Sequence, residues 1–399
     1  MASFRTVVMS LALTFASAAS AADAPGVTAD SIKIGGIFPF SGPASALGNT
    51  GKGMMAYINS INDRGGVNGR KIDYIALDDA YSPPKSVEQA RKLVEQDGIA
   101  FMYGQLGTPG NAAVAKYLQS QKVPTISIVT GSSKFTDIAQ HPLTTTSLVS
   151  YQIEGAIHAK YLDSKFPSGK LGILFQNDDL GKDYVSAFQK HFGGDFEKRV
   201  VTASYELQDP TVDSKVLLLK NEGVVGFLIA GTPKFAAQAI RKAAELGWKP
   251  EIIINYPSAS VASTLKPAGL ENAKGVVAGI NLKDPTDSRW DNDAGMAAFK
   301  EFFAKYLPGA DIADTNYTFG YSQGVLLEQI LKQCGSDLSR ENVLRQAKNI
   351  RNFATPITLP GIAANTSDKI NMNWTQLQMQ RWNGTQFEPF GTVISVDLK

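Results

Sequence analysis

Between residues 31 and 129 the chain alternates four short β-prone runs with three longer helical ones, and this alternation leaves few folds open. "IKIGGIFPF" reads as a strand and "NTGKGMMAYINSIND" as a helix. "RKIDYIALDD", "IAFMYG" and "VPTISIV" are further strands, separated by the helical runs "SVEQARKLVEQD" and "NAAVAKYLQSQK". Strands that alternate with helices pair in parallel, because each helix must carry the chain back before the next strand begins. After a polar interruption at 141–150, "HPLTTTSLVS", the rhythm restarts. "KLGILFQND", "RVVTASYEL", "VVGFLIAG" and "PEIIINYP" are strands there, separated by helical runs. The two halves share rhythm but not sequence, so two similar α/β lobes are expected rather than a short-period repeat.

The remainder does not make a third lobe. "GVVAGINL" reads as a strand, and "DNDAGMAAFKEFFAKY", "YSQGVLLEQILKQCG" and "SRENVLRQAKNI" as helices, the last with Ser339 as N-cap. "LQMQRWNGTQFEPFGTVISV" reads as an antiparallel pair turning at "NGT". These elements have to return to the two lobes, so the chain crosses between lobes more than once. Repeated crossings make a hinge, and a cleft between hinged lobes is a small-molecule site.

Composition narrows the function. The chain has 399 residues, 43% of them hydrophobic and 19% charged, with a formal net charge of +2. Lys and Arg are dispersed, which argues against nucleic acid as a partner. The N-terminal stretch "MASFRTVVMSLALTFASAASAADAP" has one Arg, an apolar run and a small-residue region. It predicts a signal peptide over residues 1–22, cleaved after Ala21 or Ala22, and hence export to the periplasm. No later stretch reaches about 18 unbroken apolar residues, so no membrane span is expected. One cysteine, Cys334, can form neither an internal disulfide nor a thiolate metal site, and reads as a buried thiol.

Catalytic patterns fail on context. "GYSQG" (320–324) matches a nucleophile elbow with Ser322 at its centre, but the stretch before it is polar and the last His is His191, upstream. A secreted serine hydrolase using Ser322 is therefore the alternative reading, not the first. "GNTGKG" (48–53) resembles a phosphate loop, but Ala46 stands where the first Gly belongs and Gly53 where Ser or Thr would hold magnesium. His141, His158 and His191 lack metal-ligand spacing. The acidic pairs in "LDDAY" and "NDD" read as turn and cap residues. We expect no enzyme activity, no cofactor and no metal. "MYGQLGTPGN" (102–111) is different: a strand feeds a tight loop and a helix leaves it, which presents N–H donors to an anion.

The segments "SIKIGGIFPFSGPASALG", "NDRGGVNGRKI", "LDDAYSPPKSVEQARKLV", "YGQLGTPGN", "VPTISI", "NDDLGKDY" and "GLENAKGVV" together resemble the periplasmic solute-binding proteins of the leucine/isoleucine/valine-binding family, which feed ABC importers. The resemblance implies a type I two-lobe fold, each lobe a mainly parallel sheet flanked by helices, joined by three hinge crossings. Lobe one would take 27–146 and 280–355, and lobe two 147–279 and 356–399. It further implies a monomer that holds a small carboxylate-bearing ligand in the cleft and presents both lobes to a membrane permease. A ligand-binding sensor for a membrane receptor is a second alternative.

By position in the family pattern, Thr108 matches the first hydroxyl-bearing loop that holds the ligand carboxylate, and Val129, Thr130 and Gly131 the second. A simple N-cap role for Thr108 is the alternative, and the two can coexist. Leu47 matches a wall residue. Ser41, Gln105, Gly107 and Thr232 complete the polar and loop candidates. The sequence also departs from the pattern. Gly131 lies where amino-acid binders commonly have Ser or Thr, and Leu180 where many have Tyr. "NYPSAS" (255–260) lacks the acid that would pair with an α-ammonium, the nearest acids being Glu251 and Glu271. A buried ammonium without a partner is costly, so an aromatic or aliphatic acid lacking the α-amino group is expected to compete with an amino acid as ligand. Tyr151, Tyr184, Tyr256 and Tyr317 are candidates to pack on such a ligand.

Overall fold

The structure is a computed structural model that describes residues 24–395. The expected signal peptide lies outside the described residues. Two sheets organise the chain. The first holds β1 (Ser31–Phe38), β2 (Lys71–Asp78), β3 (Phe101–Tyr103), β4 (Thr125–Ile128) and β5 (Thr144–Thr146). All its pairings are parallel, in the order β2-β1-β3-β4-β5. The second holds β6 (Lys170–Gln176), β7 (Val200–Tyr205), β8 (Val224–Ala230), β9 (Glu251–Ile254), β10 (Val277–Ile280), β11 (Gln376–Trp382) and β12 (Phe387–Ser395). Its order is β12-β11-β10-β9-β8-β6-β7, with β11 and β12 antiparallel. The order β2-β1-β3-β4 thus recurs as β7-β6-β8-β9, and the similarity in rhythm is a similarity in topology.

Helices cover the faces, so the inner strands are apolar on both sides, as parallel sheets require. β3, β4 and β10 are buried along their whole length. Cys334 is buried at the end of the helix Thr315–Cys334, and burial pushes its thiol up to about 12, which leaves it protonated and inert.

One helix pair decides where the C-terminal third goes. The helix Thr315–Cys334 lies against Asn49–Asp63 at very close range. A Cβ added at Gly53 would lie 2.5 Å from the Tyr317 carbonyl oxygen, and one at Gly320 would lie 2.1 Å from that of Thr50. Gly324 faces the Tyr57 ring in the same way, at 2.7 Å. Gly53 of "GNTGKG" and Gly320 of "GYSQG" therefore serve one purpose, to let two backbones touch, while Gly48 and Gly51 make room for Pro39 and the Phe38 ring. Ser322, inside this helix and 1% exposed, has its Oγ 3.5 Å from Thr355 Oγ1. It is not a nucleophile presented at a turn. The helix also starts earlier than the apolar pattern indicated: the Asp314 carboxylate accepts from the Asn316 N–H at 3.1 Å and so caps a polar first turn.

Further along, Arg340 donates to the carbonyls of Ile99 and Ala100 at 3.0 and 2.7 Å, and Asn68 Nδ2 to those of Leu331 and Gly335 at 3.1 Å each. The chain between β10 and β11 is thereby held on the first lobe. It crosses after β5, and again after β10, where Leu282 pairs with Thr358. Residues 364–373 stay with the first lobe: Thr146 N–H donates to the Asn371 carbonyl, and Asn373 N–H to that of Thr146, both at 2.8 Å. We therefore propose that the third crossing falls near Trp374, not at the boundary of 355 expected from the family pattern.

The close helix pair makes a direct prediction. Ala in place of Gly in an exposed helix interior normally stabilises by about 1 kcal/mol. At Gly320 the added methyl meets backbone that cannot rotate away. Gly320→Ala is expected to destabilise the protein by about 1–3 kcal/mol in urea unfolding. A stabilised variant would mean that the two helices are farther apart than described.

Candidate functional site

The carboxyl ends of both sheets face one cavity, the place where open α/β sheets bind ligands. From the first lobe come Leu47 after β1, Gly107 and Thr108 after β3, and Val129 after β4. From the second come Leu180 after β6, Gly231 and Thr232 after β8, and Tyr256 after β9. The hinge adds Ile280, Leu282 and Lys283, and the helix Thr315–Cys334 adds Thr318 and Phe319. The cavity is a narrow slot with about 50 Å³ open to water, where a single water needs about 10–15 Å³. The lobes meet on either side of it. Ser133 donates from its N–H and Oγ to Asp183 at 2.7 and 2.6 Å. Ser260 Oγ donates to Asp314 Oδ1 at 3.1 Å, and Thr315 Oγ1 to the Ala259 carbonyl at 2.9 Å.

The first-lobe end of the cavity is built for a hydrogen-bond acceptor. Gly107 sits at φ 115°, and an added Cβ would lie 2.9 Å from the Tyr81 ring, so only glycine takes the turn here. The helix Thr108–Ser120 then begins with no side-chain cap and no acidic residue in its own first turn, the nearby Asp79 carboxylate packing against Gly110 on a different face and bonding Ser86 and the Tyr81 N–H. Thr108 Oγ1 lies 2.8 Å from Thr130 Oγ1, and both lie beside the Tyr151 hydroxyl. Burial pushes that phenol up to about 12, so it stays a donor near neutral pH. Tyr151 is held in place by stacking on Tyr184, with centroids 5.3 Å apart.

The acids near the cavity are turned away from it or already bonded. Among the described residues, no Asp or Glu lines it. Glu154 lies behind Tyr256, fully buried, and accepts from the Tyr256 N–H at 2.7 Å and the Tyr184 hydroxyl at 2.6 Å. Burial raises its carboxyl to about 7 against the pull of these two bonds. His158 lies beside it, its Nε2 3.8 Å from a Glu154 oxygen, and burial lowers the imidazole to about 3, so it stays neutral. Asp178 caps the helix Asp179–Phe192 by accepting from the Leu180 and Gly181 N–H groups, and burial raises it to about 6. Lys283, the one cation in the lining among the described residues, donates to Asp293 at 2.7 Å and to the Pro356 carbonyl at 3.0 Å.

Of the residues singled out in the sequence, Leu47, Gly107, Thr108, Val129, Tyr151, Leu180, Thr232 and Tyr256 line the cavity. The others do not. Ser41 is exposed and bound to Asp78. Gln105 turns away to the Asn111 side chain. Thr130 reaches it only by way of Thr108, whose Oγ1 lies 2.8 Å from its own. Tyr317 packs edge-on against Phe303 in the first lobe. Gly131 is occluded: a Cβ there would lie 2.3 Å from the Val149 carbonyl oxygen and 2.7 Å from the Tyr151 ring. The space a Ser or Thr hydroxyl would use is filled by Tyr151. Sequence reasoning missed Tyr81, Lys283, Thr318 and Phe319. Tyr81 leaves a trace, since Asp79 accepts its N–H at 2.8 Å and stabilises a left-handed backbone at φ 59°. The others come from the hinge and from a helix that only the fold brings back.

A family profile described as "Periplasmic binding protein" matches residues 31–386. The chain belongs to that family, whose members bind solutes rather than transform them. A Leu/Ile/Val-binding protein homolog 7 from Brucella abortus is 25% identical over 338 residues, covering 80% of this chain and 82% of the relative. A branched chain amino acid ABC transporter protein from Thermus thermophilus, solved with bound valine, superposes with a TM-score of 0.81 at 17% identity, over 92% of this chain and 97% of that one. A fatty acid ABC transporter substrate-binding protein from Thermomonospora curvata gives 0.76 at 21%, over 94% and 95%. The two structures establish the fold, a type I periplasmic binding protein. Among the described residues no helix is long and apolar enough to cross a membrane, and no three His, Cys, Asp or Glu side chains gather as metal ligands.

Glu154 gives the site a measurable signature. Its carboxyl keeps its proton to about pH 7 in the folded chain but only to 4.5 in the unfolded chain. Between these values the folded state binds more protons, so this group's contribution to stability falls as pH rises, by about 3 kcal/mol in all. In Glu154→Gln that loss is absent. The melting temperature of the variant relative to wild type is expected to rise from pH 4.5 to 7 and level off above. A difference independent of pH would show that Glu154 is ionised throughout.

Proposed function

We propose that this protein is the substrate-binding component of an ABC importer, exported to the periplasm by its N-terminal leader. In this reading it captures a small carboxylate between its lobes and delivers it to a membrane permease. The observation that carries it is the uncapped start of the helix Thr108–Ser120, with Thr108 on the wall of a mostly apolar slot. An anion entering there replaces part of its hydration with N–H and O–H donors and a positive helix end. The apolar body of the ligand would rest on Leu47, Leu180, Ile280, Leu282 and Phe319.

The absence of an acid from the lining favours a carboxylate without an α-ammonium. An ammonium buried beside Tyr256 would find Glu154 already engaged by two donors and, with its carboxyl raised to about 7 by burial, only partly ionised near neutral pH. It would lose its hydration without gaining a counter-charge. The relatives agree with a carboxylate as the common element, one being a Leu/Ile/Val-binding homolog, one solved with valine and one a fatty acid binder. An amino acid is the second reading, favoured by two of these three.

Calorimetry of the mature protein separates them. Branched and aromatic acids are expected to bind, and the matching α-amino acids to bind at least about tenfold more weakly, a difference of about 1.4 kcal/mol. Thr108→Val is expected to weaken the bound acid by about 1–3 kcal/mol, since a buried carboxylate oxygen loses its donor. Tighter binding of the amino acids would reverse the assignment, and an unchanged affinity in Thr108→Val would remove this loop from the site.

A further inference from the structure

The tripeptide Gly-Thr-Pro occurs twice, at 107–109 and at 231–233. The two copies follow β3 and β8, which hold equivalent places in the two sheets. Each opens a helix of 13 residues, Thr108–Ser120 and Pro233–Glu245, with proline in the first turn. Neither helix start has a side-chain cap or an acidic residue in its first turn. The glycine of each copy is covered by a tyrosine from the preceding strand or the turn after it. A Cβ at Gly107 would lie 2.9 Å from the Tyr81 ring, and one at Gly231 would lie 1.8 Å from Tyr205 Oη. The glycine and threonine of both copies line the same cavity, one pair from each lobe.

The two threonines differ in one respect. The Thr108 hydroxyl is paired with that of Thr130. Thr232 Oγ1 is on a side chain only 1% exposed and has no hydrogen-bond partner within 3.5 Å among the described residues, although the Tyr205 hydroxyl, which accepts the Thr232 N–H at 3.2 Å, lies beside it. A buried hydroxyl left without a partner costs free energy that its own helix does not recover, since Thr232 makes no cap bond. It is a donor aimed at the cavity, at the positive end of a second helix.

We propose that the cavity is bipolar. It takes an acid whose carboxylate lies at Gly107 and Thr108 and whose opposite end carries an oxygen acceptor, a carbonyl or a second carboxylate, held by the Thr232 hydroxyl. This inference rests on the carboxylate reading above and adds the second functional group of the ligand. The lining is mostly apolar, but it holds a second hydroxyl without a partner among the described residues, Thr318 Oγ1 on the helix Thr315–Cys334, so loss of the preference in Thr232→Val is what assigns the acceptor to Thr232.

Calorimetry with matched series tests it: unbranched acids, their ω-1 oxo acids and the α,ω-diacids of the same length, about four to eight carbons. At the best length the oxo acid or diacid is expected to bind at least about tenfold tighter than the methyl-ended acid. The better of the two identifies the acceptor as neutral or charged. Thr232→Val should bring that ratio close to one and Thr232→Ser should restore it, whereas Thr108→Val should weaken every ligand and preserve the ratio. Equal affinity across the series in wild type, or a preference that survives in Thr232→Val, overturns the bipolar cavity while leaving the carboxylate reading intact. If no acid of any series binds wild type, the carboxylate reading fails, and this one with it. The wild-type ratio decides the matter even where a variant does not fold.

Discussion

The cleft depends on two helices whose backbones touch. Asn49–Asp63 belongs to the first crossover of the first lobe, and Thr315–Cys334 comes more than 250 residues later. Gly53, Gly320 and Gly324 remove the side chains that would hold them apart. Close approach strengthens dispersion contacts and makes the seam intolerant of added volume. With the late helix fixed on the first lobe, the chain has to leave the second sheet after β10 and come back for β11. The hinge is the geometric consequence of that return. So is the presence of Thr318 and Phe319 in the cavity, since they lie on the helix that the glycines hold.

Electrostatics inside the cleft follows from the parallel sheets. Parallel strands send every following helix off in the same sense, so helix starts collect at the carboxyl ends of both sheets. Side chains then decide which of these positive ends are compensated. Asp178 and Asp314 cap theirs. Those at Thr108 and Thr232 have no side-chain cap, and both border the slot, one from each lobe. Glu154 is kept nearby but faces the Tyr256 backbone, where it fixes the wall in place of neutralising a ligand. Lys283 is likewise spent on Asp293 and the hinge carbonyl of Pro356. What the cavity offers a ligand is therefore donors and partial positive charge on an apolar surface.

Much of this was legible in the order of residues. The strand and helix runs, the doubling of the α/β unit and the antiparallel pair at the C-terminus follow from periodicity and turn residues. So do the strand-end positions of Leu47, Thr108, Leu180, Thr232 and Tyr256. Two short motifs pointed elsewhere, to a phosphate loop and to a hydrolytic serine, because spacing alone does not distinguish a glycine needed for a turn from one needed for a contact. Ser41 and Gln105 failed for a related reason. Ser41 lies six positions before Leu47 and Gln105 one before Leu106, but Asp78 holds the Ser41 hydroxyl and Asn111 the Gln105 Nε2. Gly131 was noticed as a departure, yet its cause, the Tyr151 ring in the space beyond it, lies twenty positions downstream.

The sequence by itself determined the local geometry: which segments extend, which coil, and where glycine and threonine interrupt them. Those choices depend on backbone sterics and on side chains a few positions apart, so they can be read along the chain. Only the tertiary structure decided the chemistry of the cleft. Tyr256 meets Glu154 across 102 positions, and Asn49 meets Asp314 across 265. The two Gly-Thr-Pro turns were present in the sequence as a repeated tripeptide. They came to line one cavity, one from each lobe, only because the folded chain brings the carboxyl ends of the two sheets together.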